Sequence, residues 1–260
     1  MDLMVNAWRR RIGFMCPSVL ETTIPNFTSF APEGVGICAI TSNIEDWDKN
    51  EFERAMNKVV ADAKSLATRG VDYIIFSGGP LLTSRGKGAD IELRNRIMDA
   101  TGLDATTTIT SAVQALEYLN IKRVAMLSPF PQHVQRATIG FLRAHDFDVL
   151  KDDSMDIHFR ALHKVGPDEI YRRAGALLTS TPEADGLYIP CPQWPTQKAV
   201  EAIERDYGKP VVTCDPADFW MAFRSLGIHD RIENHGILLR SLSERRDTPP
   251  ASGAAVRLAS

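Results

Sequence analysis

The sequence predicts an α/β protein made of two similar halves, each an open parallel sheet covered by helices, facing each other across a cleft. Three observations carry this prediction. Strand-like and helix-like segments alternate from start to finish. The strand candidates are near-continuous apolar runs, the pattern of sheets buried on both faces. Three blocks of the first half return, in the same order, in the second.

The first half opens with strand candidates at residues 12–15 and 35–40. Phe52, Ala55, Met56, Val59, Val60, Ala63, Leu66 and Ala67 then form one apolar stripe at helical spacing, which Gly70 closes as a C-cap. A strand at 73–76, a helix near 91–100, a strand at 105–109 and a helix near 111–119 complete this half. The second half repeats the alternation, with strands at 124–127, 147–150, 187–189 and 211–213. Its helices fall near 133–144, 168–179, 196–207 and 217–226. The segment from Arg11 to Pro17 matches the one from Arg123 to Pro129, and Asp72 to Gly78 matches Asp185 to Cys191. The stretch 106–121 can be laid on 213–228. Gly78 and Cys191 thereby become equivalent positions on opposite walls, as do Cys16 and Ser128. The expected division is 10–120 and 121–230, with a polar, proline-rich flexible tail over 241–260.

The composition excludes several function classes. A formal net charge of −3 leaves no basic footprint for nucleic acid or an anionic membrane. No apolar run approaches a membrane span, and the first residues lack the apolar core of a signal peptide, so the cytoplasm is the expected compartment. The cysteines, Cys16, Cys38, Cys191 and Cys214, are widely spaced without a CxxC, which is neither a zinc pattern nor, in the cytoplasm, a disulfide framework. The six histidines show no metal spacing. His158 and His163 border the second-half cleft, where surface or capping roles outweigh that of an alternative base. The segment from Gly79 to Lys87 is not a phosphate loop, because six residues separate its glycines and Pro80 removes a donor. It reads as a loop entering the cleft, with the roles of Arg85 and Lys87 open. Ser77 lacks the glycine elbow of a hydrolase nucleophile.

The stretch that organises the rest is Ala184 to Gln193, an apolar strand ending at Cys191 between Pro190 and Pro192. Open α/β sheets place ligands at the carboxyl ends of their strands, so this thiol is the candidate reactive group among otherwise structural ones. Trp194, just past it, reads equally well as pocket wall or core, while Phe219 and Trp220 read as helix packing.

Across residues 10–230 the chain resembles the aspartate/glutamate racemase superfamily, in the branch of arylmalonate decarboxylase and maleate cis-trans isomerase. The resemblance rests on Pro17, on Gly70 through Gly86 with its Ser84-Arg85-Gly86 end, on Ala100-Thr101-Gly102-Leu103 and on Thr106 through Val113. It continues through Asp185–Cys191 and Pro216–Trp220. It implies Rossmann-like (flavodoxin-like) halves related by a pseudo-twofold axis, no cofactor and a small carboxylic acid substrate. In the family two cysteines act on opposite faces of the carbon next to a carboxylate. This chain keeps only Cys191 and carries Gly78 at the other position, as arylmalonate decarboxylases do. The implied activity is decarboxylation of a substituted malonate-like acid, with Cys191 protonating the carbanion. The implied substrate-binding set is Cys16, Pro17, Ser77, Gly78, Gly79, Pro80, Leu81, Ser128, Pro129, Phe130, Pro192 and Gln193. Within it, the N–H groups of Gly78, Gly79 and Leu81 and the hydroxyls of Ser77 and Ser128 are the candidate anion donors. Gly79, Pro80, Phe130 and Pro192 replace donors that arylmalonate decarboxylases carry. The alternatives are an isomerase or racemase of a small carboxylic acid and a non-catalytic carboxylate-binding protein. Oligomeric state stays open.

Overall fold

The structure, a computed structural model, describes residues 7–244. The first sheet contains β1 (Arg10–Cys16), β2 (Val35–Thr41), β3 (Tyr73–Phe76) and β4 (Ala105–Thr107), in the order β2-β1-β3-β4. The second contains β5 (Arg123–Ser128), β6 (Asp148–Ser154), β7 (Gly186–Ile189) and β8 (Val211–Thr213), in the order β6-β5-β7-β8. Every pairing is parallel, and β1 and β5 hold the same inner place in their sheets. The repeat in the sequence is thus a repeat of topology. The two residues after β3 end at Gly78 and the two after β7 end at Cys191, so these positions correspond.

The helices are α1 (Thr23–Phe30), α2 (Lys49–Ala67), α3 (Gly79–Thr83), α4 (Ala89–Thr101), α5 (Thr108–Tyr118) and α6 (Gln132–Ala144). They continue with α7 (Pro167–Thr179), α8 (Gln197–Tyr207), α9 (Cys214–Ser225) and α10 (Ile237–Arg240). α2 starts where the Asp48 carboxylate accepts the N–H groups of Asn50 and Glu51, and it buries Phe52, Ala55, Met56, Val59, Ala63 and Leu66 against the first sheet. Gly70, at φ +70, lies three residues past its end.

Three local expectations are corrected. The strand at 105–109 stops at Thr107, whose hydroxyl accepts the N–H of Thr110 and starts α5. The segment after Gly78 begins as α3 rather than as an open loop, with Pro80 in the first turn, where its missing N–H costs nothing. The tail expected from residue 241 starts instead with a 3₁₀ turn, Ser241–Ser243, in which Ser241 and Leu242 are buried. The rest of that expectation, residues 245–260, lies outside the described residues.

α5 and α9, which follow equivalent strands, pack on each other, and α9 also reaches β3 and β4. Phe219 stacks on Phe14 of β1 at 5.5 Å between ring centres and touches Phe27 and Phe30 of α1. Phe219 and Trp220 are therefore core side chains, as expected of helix packing. No helix among the described residues is long and apolar enough to cross a membrane.

Candidate active site

The carboxyl ends of β1, β3, β7 and β8 converge on one cavity. Cys16 ends β1 and Pro17 and Ser18 follow it; Ser77 to Leu81 follow β3; Pro190 to Gln193 follow β7; Cys214 follows β8. Ile44, Trp47, Phe130 and Phe159 close the remaining sides. The cavity measures about 40 Å³, room for roughly three waters. Ser18, Ile44, Phe159 and Gln193 also line a wider hollow of about 410 Å³ beside it.

Cys191 lies in a tight turn, its own N–H donating to Ile189 O at 3.0 Å. Burial pushes its thiol up to about 12, and the backbone N–H groups of Gln193 and Trp194 beside the sulfur pull the other way. The group is therefore a thiol at neutral pH, with donors in place for the thiolate that proton loss would create. Pro192 has no N–H, so this cradle begins one residue later. Two more thiols share the cavity. Cys16 is pushed up to about 12 by burial and donates to Val19 O at 3.8 Å. Cys214 is raised well above its ordinary value, first by burial and next by Asp218.

Opposite Cys191 the wall is backbone for a steric reason. A Cβ on Gly78 would stand 2.6 Å from two ring carbons of Phe76 and 3.3 Å from Pro17 Cγ. At Gly79 it would meet only Thr108 Cγ2, at 3.4 Å. A side chain at 78 would force the Phe76 ring or Pro17 to move, and one at 79 would not.

Of the residues singled out in the sequence, Cys16, Pro17, Ser77, Gly78, Gly79, Pro80, Leu81, Phe130, Cys191, Pro192 and Gln193 line the cavity. Ser128 and Pro129 do not. The Ser128 hydroxyl donates to Gln135 Oε1 and accepts the Phe130 N–H at 3.2 Å, so it has no proton left for an anion. The Pro129 carbonyl accepts the Ile157 N–H at 2.8 Å. The Leu81 N–H is likewise spent, on Gly78 O at 3.2 Å. Gln193 bridges the halves, its side chain donating to Ser18 Oγ and its carbonyl accepting the Thr22 hydroxyl at 3.0 Å.

Arg85 pairs with Glu53 and Lys87 donates to Ala144 O, so neither points at the cavity. His158 caps the 3₁₀ turn Phe159–Lys164 by accepting the Arg160 N–H, and His163 lines the wider hollow. Trp194 is fully buried in the second-half core, away from the cavity lining.

Sequence reasoning missed Cys214, Ser18, Ile44, Trp47, Phe159 and Pro190. Cys214 carried a usable signal, since it ends a strand as Cys191 does. Trp47 and Phe159 carried none: they come from long connections in different halves and meet only in space, edge to face with 4.6 Å between ring centres. Among the described residues, no group of three His, Cys, Asp or Glu is arranged to hold a metal ion.

Comparison with known proteins shows what the chain is similar to. The arylmalonate decarboxylase family profile matches residues 12–239. Arylmalonate decarboxylase from Bordetella bronchiseptica is 26% identical over 199 residues, covering 76% of this chain and 80% of that one. Maleate isomerase from Nocardia farcinica is 26% identical over 246 residues, covering 89% and 96%. The crystal structure of the maleate isomerase Iso from Pseudomonas putida S16 superposes with a TM-score of 0.83 at 21% identity, covering 90% of this chain and 99% of that one.

Proposed function

The chain belongs to the arylmalonate decarboxylase family, in the branch of the aspartate/glutamate racemase superfamily that also holds maleate isomerases, and we propose that it decarboxylates a substituted malonate-like acid without a cofactor. The observation that carries this reading is that Cys191, whose burial favours the protonated thiol, shares its cavity with Gly78, a position without a side chain at the equivalent place in the other half. In the proposed reaction the bond to one carboxylate breaks, CO₂ leaves, and the electron pair stays on the α carbon as an enediolate. The Cys191 thiol transfers its proton to that carbon, and the Gln193 and Trp194 N–H groups stabilise the thiolate until water reprotonates it. The lining contains no Lys, Arg or His and is mostly apolar, which disfavours a bound carboxylate relative to neutral CO₂. Trp47, Phe130 and Phe159 suit a flat or branched apolar substituent.

One observation supports a second reading, an isomerase or racemase. Cys16, on the first-half wall of the same cavity, is a thiol that a two-sided proton exchange could use. Incubating the protein in deuterated water with a panel of substituted malonates, maleate and chiral α-substituted acids separates the readings. CO₂ release with one deuterium in the product supports decarboxylation. Conversion of maleate, or of one enantiomer into the other, without CO₂ overturns it. Cys191→Ser separates both from a non-catalytic binder, in which carboxylate affinity survives and no turnover exists to lose.

A further inference from the structure

Behind the cavity wall lies a set of buried polar groups whose hydrogen bonds are not made. Asp218 on α9 is completely buried, and neither of its carboxyl oxygens has a hydrogen-bond partner. The Ser77 and Thr108 hydroxyls, both buried, are also without partners. The hydroxyls of Thr108, Ser111 and Ser77 lie near enough to Asp218 to favour its charged form, but short of hydrogen-bond geometry. Ser77 also lines the cavity, so this set touches the site from behind. Buried groups left unpaired are strongly unfavourable and mark places that something else completes.

The charge balance around Asp218 is one-sided. The titratable groups that interact with it are Asp215, Cys214, Tyr188 and Cys16, all acids. A bare carboxylate, out of water and without a cation, is the least favourable state such a group can take. Burial raises its protonation well above the ordinary carboxylate range, and Asp215 adds to the effect.

The protonation state decides what Ser77 offers the cavity. A carboxylate only accepts, so it would draw the Ser77 proton backwards, away from the cavity. A carboxylic acid can donate, which frees the Ser77 proton to point forwards. Several potential donors are lost around the cavity: Pro80 and Pro192 have no N–H, and the Leu81 N–H and Ser128 hydroxyl are spent, while Ser18 accepts from Gln193 and keeps its own proton.

We propose that Asp218 is a positioning residue: as a neutral carboxylic acid it donates to Ser77 Oγ, and Ser77 then donates to the carboxylate that stays on the substrate. This rests on the carboxylate-substrate reading above. Ser77 already lies within reach of Asp218, so protonation of Asp218 closes the first link, and the second forms when the substrate carboxylate accepts the Ser77 proton.

Infrared spectroscopy of the full chain tests the first link without any substrate. A protonated-carboxyl band that disappears in Asp218→Asn and shifts in Ser77→Ala supports the proposal, and Asp215→Asn identifies any band belonging to that neighbour. A spectrum in which Asp218→Asn removes no such band, or Ser77→Ala leaves it unmoved, overturns it. If Asp218→Asn does not fold, the Ser77→Ala spectrum alone decides. Where a turned-over acid is found, Asp218→Leu and Ser77→Ala should each lower kcat by about 100-fold, the cost of one preorganised donor. The double variant should be no worse than either single one, and Asp218→Asn, which can still donate, should stay within about threefold of wild type. Additive losses in the double variant would overturn the link. Failure to find any turnover counts against the decarboxylase reading and leaves the infrared result standing.

Discussion

Cys191 is held as an acid by burial, and its pKa of about 12 sets the direction of its pH behaviour. The form needed for proton donation is the protonated one, which persists at every pH below that value. The rate should therefore show no loss from Cys191 ionisation between pH 7 and roughly 10. A kcat profile that falls near the ordinary thiol range would contradict the assignment. Cys191→Ala should lower turnover by about 10³-fold or more while carboxylate affinity, measured by calorimetry, changes little. At the facing position, Gly78→Ala must displace the Phe76 ring or Pro17 and should cost about 1–3 kcal/mol in denaturant unfolding. Gly79→Ala meets only ordinary contact and serves as the control.

The strands needed little beyond their own sequence. Residues 12–15, 73–76 and 187–189 are apolar runs buried on both faces, and that pattern is local. α3 leaves no mark in the sequence because five residues carry no helical periodicity, and β4 ends at Thr107 although Thr108 and Ile109 look like strand. Under the proposed function, selectivity falls to the connections after β2 and β6. Trp47 reaches across to donate from Nε1 to Ile157 O at 3.3 Å, and Phe159 packs on its face. These two rings bound a cavity of about 40 Å³, smaller than a substituted malonate, and we place the opening that the proposed substrate needs on this side. Phe159→Ala should raise kcat/KM for phenylmalonate relative to methylmalonate by about tenfold, read from competition between the two acids. An unchanged ratio would show that another wall moves.

The two sheets share a strand order, but their helices are interlocked. α9 follows β8 and yet packs on α5, β3 and β4, and its Phe219 and Phe223 join the first-half core with Leu238, Leu239 and Leu242. We expect the division near residue 120 to be one of sheets rather than of folding units. A fragment covering 121–244 should lack cooperative unfolding by circular dichroism. Asp215 ties the same helix to α1, accepting from Thr23 Oγ1 at 3.1 Å and Asn26 Nδ2 at 2.8 Å, while burial raises its pKa to about 7. The folded chain then keeps a proton that the unfolded chain releases near pH 4. Stability from this group is full at low pH and declines as pH rises from about 4 to 7, on the order of 1 kcal/mol per pH unit. Asp215→Asn removes that decline, so its melting temperature relative to wild type should be higher at pH 8 than at pH 5. An equal difference at both pH values would show that Asp215 is ionised in the fold.

The family resemblance supplied most of the strand-end residues around the cavity, while pattern along the chain was enough for the α/β class, the internal repeat and the Gly78–Cys191 correspondence. Each of these is written in local periodicity or in residues adjacent along the chain. The Trp47–Phe159 wall, the withdrawal of Ser128 and the unpaired acid at Asp218 belong to another category. They depend on which side chains from distant segments meet and on which hydrogen bonds are already taken. Only long-range packing fixes those meetings, and pattern along the chain does not encode them.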